Sequence, residues 1–76
     1  MKKADGHRQI GEFVRRRRKA NRLTQGQLGE LAGVGRRFVS ELEQGKSTVQ
    51  LEAVNKVLAV FGKTLGVTEL PREDEE

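Results

Sequence analysis

The chain of 76 residues has no cysteine, no tryptophan and no tyrosine, and it has only one histidine and one proline. The absence of cysteine excludes a disulfide framework, a thiolate metal site and a cysteine nucleophile. His7 lies in a polar segment with no second histidine to share a metal, so we expect no metal and no cofactor. No phosphate-binding loop is recognisable either, and we predict that the protein is not an enzyme.

Long apolar runs are also absent. No stretch approaches the roughly 20 residues of a membrane-spanning helix, and the N-terminal MKKADGHRQ lacks the apolar segment of a signal peptide. We therefore expect a cytoplasmic protein that does not associate with membranes. Hydrophobic residues make up 34% of the chain, and the aromatic residues are three phenylalanines, so the core is thin. A thin core in one small domain favours a homodimer.

Charge is unevenly distributed along the chain. The net charge is +4, but residues 1–23 carry nine Lys and Arg against two acids, whereas residues 50–76 carry three against six. The basic N-terminal part fits a polyanion as partner. A solvated charged surface explains the same numbers, so charge alone does not decide between the two.

Apolar residues recur at helical intervals of three and four positions, and this spacing predicts four helices. They cover residues 9–21, the segment from a Thr24 N-cap to Gly33, residues 35–44 and residues 50–61. Thr24 and Gln27 have the spacing of a capping box. Leu31 is expected on the buried face of the second helix. Gly29 is expected to permit close approach of the next helix.

The segments outside the helices have different characters. Residues 1–8 are interpreted as a flexible basic N-terminus and residues 9–62 as the folded domain. Residues 63–70, KTLGVTEL, favour a short strand with Leu65 and Val67 on one face. Residues 71–76 contain four acids and are predicted to be disordered.

Residues 24–45, TQGQLGELAGVGRRFVSELEQG, predict two short helices joined by a glycine turn, with two arginines opening the second helix. This arrangement is typical of a helix-turn-helix, which presents its second helix to a DNA groove. The chain resembles the Xre/Cro/lambda-repressor-type helix-turn-helix family over about residues 10–62. The matching residues include Ile10-Gly11, Val14-Arg15, Leu23-Thr24-Gln25, Leu28, Ala32-Gly33-Val34, Val39-Ser40, Glu43, Gly45 and Gly62. The expected fold is all-α, with four helices, a short C-terminal strand and a dimeric assembly.

A closer resemblance is to HipB-type antitoxins. It rests on Gly33-Val34, the following RRFVSELEQGKST and the strand-like tail. The resemblance implies a homodimer that represses its own operon at a pseudo-palindromic operator and binds a HipA-like serine/threonine kinase toxin. The tail would pair between subunits. The alternatives are a free-standing Xre-type repressor, or an interaction module that inhibits a toxin and binds DNA only secondarily.

The candidate base-reading residues lie on the third, recognition helix. Arg36 and Arg37 open this helix, and an arginine can donate two hydrogen bonds to guanine O6 and N7. The sequence does not separate the two arginines, and contact with phosphate alone is the alternative. Ser40 lies one turn on and is included as a base or phosphate contact. Glu41 could accept a hydrogen bond from cytosine or simply face solvent.

The candidate phosphate contacts surround that helix. Gln25 opens the second helix, where the helix dipole favours anions, and it resembles the phosphate clamp of the family. Simple capping is the alternative. Lys46 follows the recognition helix in a loop that lies along the DNA backbone in the family. The full set is Arg15, Thr24, Gln25, Gln27, Gln44, Lys46 and Ser47.

Two further groups have structural interpretations. Arg18 and Glu43 match a family ion pair between the first and third helices, which would fix the recognition helix. The predicted dimer-interface residues are Leu58, Phe61, Leu65 and Val67. Leu51, Leu58 and Phe61 could instead belong to the core, and a frayed tail is the alternative for the last two interface residues. Arg17 stands where the family often has an apolar residue, so we expect its stem to pack.

Overall fold

The computed structural model describes residues 6–70, and the regular structure of this part consists of helices alone. The helices are α1 (Gly6–Ala20), α2 (Gln25–Ala32), α3 (Arg36–Glu43) and α4 (Leu51–Val60). The predicted all-α, four-helix fold is confirmed. The predicted acidic tail, residues 71–76, lies outside the described residues.

Every helix contributes to a single small core. Val14 of α1 and Leu28 of α2 are completely buried. The remaining buried hydrophobic residues come from α3 and α4 and are Val39, Leu42, Val54, Val57 and Leu58. Removing such side chains from water is the main favourable contribution to folding, at about 1.5–3 kcal/mol for each large aliphatic group.

The first helix begins earlier than predicted, at Gly6 rather than Gln9. Residues 6–8 of the predicted flexible segment are therefore helical, and residues 1–5 lie outside the described residues. A tertiary contact explains the extension. A Cβ placed on Gly45, in the turn after α3, would lie 3.7 Å from Cα of Arg8. The first turn of α1 thus packs against the end of the recognition helix.

The second helix has the capping box that the sequence predicts. Thr24 Oγ1 accepts a hydrogen bond from the backbone N–H of Gln27 at 3.0 Å, and Gln27 Oε1 accepts one from the backbone N–H of Thr24 at 2.8 Å. Gly33 ends the helix with φ of 77°, in the left-handed region that favours glycine. Both boundaries of α2 are thus fixed by local chemistry.

Two glycines allow the helix backbones to approach closely. A Cβ on Gly29 would lie 2.8 Å from the carbonyl oxygen of Val34, which confirms the predicted close approach of the next helix. A Cβ on Gly11 of α1 would collide with the backbone oxygen of Leu42 in α3. The recognition helix is therefore held near its beginning and near its end by contacts that leave no room for a side chain.

The predicted strand over residues 63–70 is absent, so this prediction was wrong. The side chain of Asn55 in α4 binds the start of the segment instead: its Oδ1 accepts from the Leu65 backbone N–H at 2.8 Å and from Thr64 Oγ1 at 3.1 Å. A strand needs a neighbouring strand for its ladder of hydrogen bonds, and the described chain offers none. Val67 is fully exposed.

Burial bears on the other expectations for apolar side chains and corrects the one for Leu31. Leu58 is 5% exposed and belongs to the core of the single chain, which agrees with the core alternative stated for it. Phe61 and Leu65 are partly buried against the same core. Leu31 is 62% exposed rather than buried. In α2 the residues that pack on the core are Leu28 and Ala32, four positions apart, which turns Leu31 to the flank of the helix.

Candidate nucleic-acid interface

The turn between α2 and α3 is short and well anchored. It consists of residues 33–35, and the backbone N–H of Val34 donates to the carbonyl oxygen of Gly29 at 2.9 Å. Val34 also packs against the core. Gly35 is the N-cap of α3. It has no side chain that could accept hydrogen bonds from the first backbone N–H groups of the helix, so no capping side chain covers the first turn of α3. The two helices form a helix-turn-helix with an open recognition-helix terminus.

Arg36 and Arg37 occupy this terminus, and both are exposed. The Cδ atom of Arg36 lies 3.8 Å from the position that a Cβ on Gly26 would occupy, so its aliphatic stem runs past the first turn of α2. Arg37 points elsewhere, with its Nε 3.4 Å from Glu41 Oε2. The structure therefore separates two arginines that the sequence does not distinguish: one runs beside α2 and one follows α3 toward its C-terminus.

Ser40 and Gln44 continue the same helix by one and two turns. Gln44 Nε2 donates to Ser40 Oγ at 3.1 Å. Ser40 is half-buried and Gln44 is exposed. The pair places a hydroxyl and an amide beside the arginines, and these groups can both donate and accept hydrogen bonds.

The predicted ion pair between α1 and α3 is present. Arg18 Nε lies 2.6 Å from Glu43 Oε2, and Arg18 Nη2 donates to Glu43 Oε1 at 3.0 Å. Arg18 Nη1 also donates to the carbonyl oxygen of Leu23 at 2.8 Å. The two side chains are only 12% and 4% exposed. Hydrogen bonding to Glu43 raises the pKa of Arg18 despite the opposing effect of burial, so the guanidinium stays charged.

Gln25 and Gln27, both predicted phosphate contacts, bind partners within the protein near the start of α2. Gln25 Nε2 donates to Glu43 Oε1 at 3.1 Å and so joins the ion pair, while the side chain of Gln27 completes the capping box. In this structure the side-chain amides of Gln25 and Gln27 therefore stabilise the packing of α2 on α3 and the start of α2. The backbone N–H groups of residues 25 and 26 still open the helix, where helical geometry leaves them without a partner in the preceding turn.

A polar cavity of about 340 Å³ lies between α1 and the recognition helix. It brings together four predicted contacts, and its lining also contains a cation that the sequence reasoning missed, Lys19. Arg15 and Lys19 are four residues apart, which places them on one helix face, and this spacing within the basic run was the available signal. The lining residues are Arg15, Arg18, Lys19, Gln25, Ser40, Glu43 and Gln44.

The loop after α3 holds the other predicted contacts. Lys46 Nζ lies 3.4 Å from Glu41 Oε1, and its backbone N–H donates to the Glu41 carbonyl oxygen at 3.1 Å. Ser47 is exposed. Glu41 thus contacts two cations, an arrangement that neither alternative from the sequence, contact with cytosine or a solvent-facing position, includes.

A second surface lies on the opposite end of α1. Ile10, Phe13, Leu58 and Leu65 line an open, mostly apolar groove of about 250 Å³. The Arg17 guanidinium lies 5.4 Å from the ring centroid of Phe13 and 5.7 Å from that of Phe61. Arg17 therefore packs on aromatic rings at the position where the family often has an apolar residue.

Comparison with known sequences agrees with this geometry. The chain is 43% identical over 58 residues to an uncharacterized HTH-type transcriptional regulator, y4mF, of Sinorhizobium fredii, and the match covers 76% of each chain. It is 40% identical over 48 residues to an uncharacterized HTH-type transcriptional regulator of Haemophilus influenzae, which is 63% of this chain and about half (49%) of that protein.

The family match covers the elements described above. Within residues 6–70, no helix has the length and apolar character needed to cross a membrane. Residues 9–73 match a helix-turn-helix domain family. The match begins at the first residue of the predicted domain and extends past the segment that Asn55 binds. The chain belongs to this helix-turn-helix family.

Proposed function

We propose that the protein is a sequence-specific DNA-binding transcriptional repressor. The observation that carries the proposal is the placement of Arg36 and Arg37 at the open terminus of α3, the second helix of the helix-turn-helix. In such motifs the N-terminal residues of the second helix contact base edges in the major groove. The names of both relatives, HTH-type transcriptional regulators, support the same function.

The surroundings of α3 supply sequence-independent contacts. Arg15 and Lys19 border the polar cavity beside the recognition helix, and Lys46 lies in the loop after the C-terminal end of that helix. Cations in these positions attract phosphates and release counterions from DNA, so affinity is expected to fall steeply with salt. Phosphate contacts of this kind would set the orientation of α3, and the arginines would read sequence.

The binding experiment is fluorescence anisotropy with the DNA immediately upstream of the gene and with a scrambled duplex of equal length. The wild-type protein should prefer the upstream DNA, and Arg36→Ala and Arg37→Ala should each weaken that preference by about 1–3 kcal/mol. Arg16→Ala is the matched control, since Arg16 is exposed on α1 and does not line the cavity. Equal, salt-labile binding to both duplexes would contradict the proposal.

The finer assignment is a homodimeric antitoxin that binds a HipA-like kinase and represses its own operon. It rests on the resemblance of the turn, the recognition helix and the tail to HipB-type proteins. Two features of the chain support a second copy as partner: the apolar groove beside α1 and the fully exposed Val67 that follows it. A dimer would match a pseudo-palindromic operator.

Sedimentation of the full chain tests the dimer, with Val67→Asp as the disrupting variant and Thr68→Asp as a control in the same segment. A wild-type dimer that only Val67→Asp dissociates is the expected result. Co-purification with the product of an adjacent gene tests the kinase partner. A monomer at all concentrations would instead favour a free-standing repressor that binds a single half-site. Partner inhibition without DNA binding would favour the interaction module.

A further inference from the structure

The carboxylate of Glu41, on the recognition helix, bridges two cations. Its Oε2 lies 3.4 Å from Arg37 Nε and its Oε1 lies 3.4 Å from Lys46 Nζ. The side chain is 30% exposed, whereas Arg37 is almost fully exposed at 91%. The carboxylate is therefore held between the first turn of the helix and the loop that follows it.

Both partners of Glu41 belong to the surface described above as the candidate DNA interface. Arg37 and Glu41 are one turn apart on one face of α3, and Lys46 approaches from the C-terminal side. A bound duplex would bring its phosphates close to this face. A carboxylate there is repelled by phosphate, and it also competes with phosphate for the two cations.

We propose that Glu41 is a specificity-determining residue that weakens binding to DNA of arbitrary sequence. This inference rests on the proposed DNA-binding function. Binding to arbitrary DNA comes almost entirely from contacts between cations and phosphates. By holding Arg37 and Lys46, Glu41 removes two cations from that interaction and adds a repulsive charge.

A matching operator can overcome this effect. Ion pairs between exposed side chains are weak and exchange easily. Arg37 can leave Glu41 when a guanine offers two well-aligned acceptors, O6 and N7. A mismatched sequence offers only phosphates to the two cations. These contacts do not compensate for the repulsion between the phosphates and the Glu41 carboxylate. Glu41 therefore lowers the affinity for mismatched DNA more than the affinity for the operator.

The test is Glu41→Gln, which keeps the shape of the side chain and removes its charge. Anisotropy with upstream and scrambled duplexes should be measured from about 50 to about 300 mM salt. The affinity for the scrambled duplex should rise about fivefold, and the salt dependence of that binding should steepen by about one ion. The affinity for the upstream duplex should rise less, so the ratio of the two affinities falls.

Two controls separate this effect from net charge. Glu30→Gln removes the same charge from an exposed position on α2 and should leave the affinity ratio unchanged. Adding Lys46→Gln to Glu41→Gln should cancel about half of the gain on scrambled DNA, because one of the two released cations is then missing. Thermal unfolding of each variant checks that the fold is intact.

The outcomes are distinct. Identical effects of Glu41→Gln and Glu30→Gln would overturn the inference while leaving the DNA-binding proposal in place. Weaker binding of Glu41→Gln to the upstream duplex, with scrambled binding unchanged, would mean that Glu41 reads a base and would also overturn it. A wild-type protein that binds neither duplex would overturn the proposed function itself.

Discussion

The end of α3 and the segment that follows α4 are both attached to neighbouring helices, but by different chemistry. At the end of α3, Glu43 accepts charged hydrogen bonds from Arg18 and a further bond from Gln25. The segment after α4 is held by the neutral Asn55, in the middle of that helix, which accepts two bonds from residues 64–65. Charge-assisted bonds between mostly buried groups are stronger and more directional than neutral bonds at the surface. The recognition helix is therefore fixed more firmly than the C-terminal segment.

The largest expected effect comes from removing the anchor of α3. Glu43→Ala leaves the guanidinium of Arg18 mostly buried without its carboxylate, and we expect a loss of about 3 kcal/mol in the free energy of unfolding. Urea denaturation followed by circular dichroism measures it. Glu41→Ala is the control, since its ion pairs are more exposed and should cost less than about 1 kcal/mol. An unchanged melting temperature for Glu43→Ala would contradict the role of the ion pair.

The next effect concerns the backbone contact beside that anchor. Gly11→Ala places a Cβ against the Leu42 carbonyl, so α1 and α3 must separate, and we expect a loss of about 2 kcal/mol. Gly66→Ala is the matched control in the C-terminal segment, because a Cβ there meets nothing within 4 Å. Its unfolding free energy should stay within about 0.5 kcal/mol of wild type. If Gly11→Ala and Gly66→Ala lowered the unfolding free energy equally, the contact between α1 and α3 would be no tighter than the packing of the C-terminal segment.

The smallest effect is expected at the other attachment. Asn55→Ala deletes the acceptor for Thr64 and Leu65, and we expect a loss of about 1 kcal/mol. Amide hydrogen exchange should report the change most clearly, with faster exchange at Leu65 and little change in α3. A loss as large as that of Glu43→Ala would show that the C-terminal segment is as firmly held as the recognition helix.

Local signals in the sequence were sufficient for the presence and order of the four helices and for part of the site. The capping box at Thr24, the left-handed Gly33 and the small Gly29 each follow from residue type and spacing. The partners of Gln25 and Glu41 did not follow, because they depend on which rotamer a long side chain adopts near several partners. The role of Leu58 was left open for another reason: an amphipathic pattern marks a buried face but does not say which chain buries it.

The beginning of α1 and the absent strand show the remaining limit. Residues 6–8 are helical because Arg8 contacts the turn at Gly45, which lies far along the chain. Residues 63–70 have the alternation of a strand, but the described chain has no strand to pair with them. Both outcomes depend on tertiary neighbours, which a local pattern does not contain.

The open first turn of α3 has a consequence for how the protein could change its target. The contacts that position this helix involve Gly29 before it and Leu42 and Glu43 near its end. Arg36 and Arg37 carry none of the core packing. Under the proposed function, substitutions at these two positions would retarget the domain to another base sequence without repacking its interior.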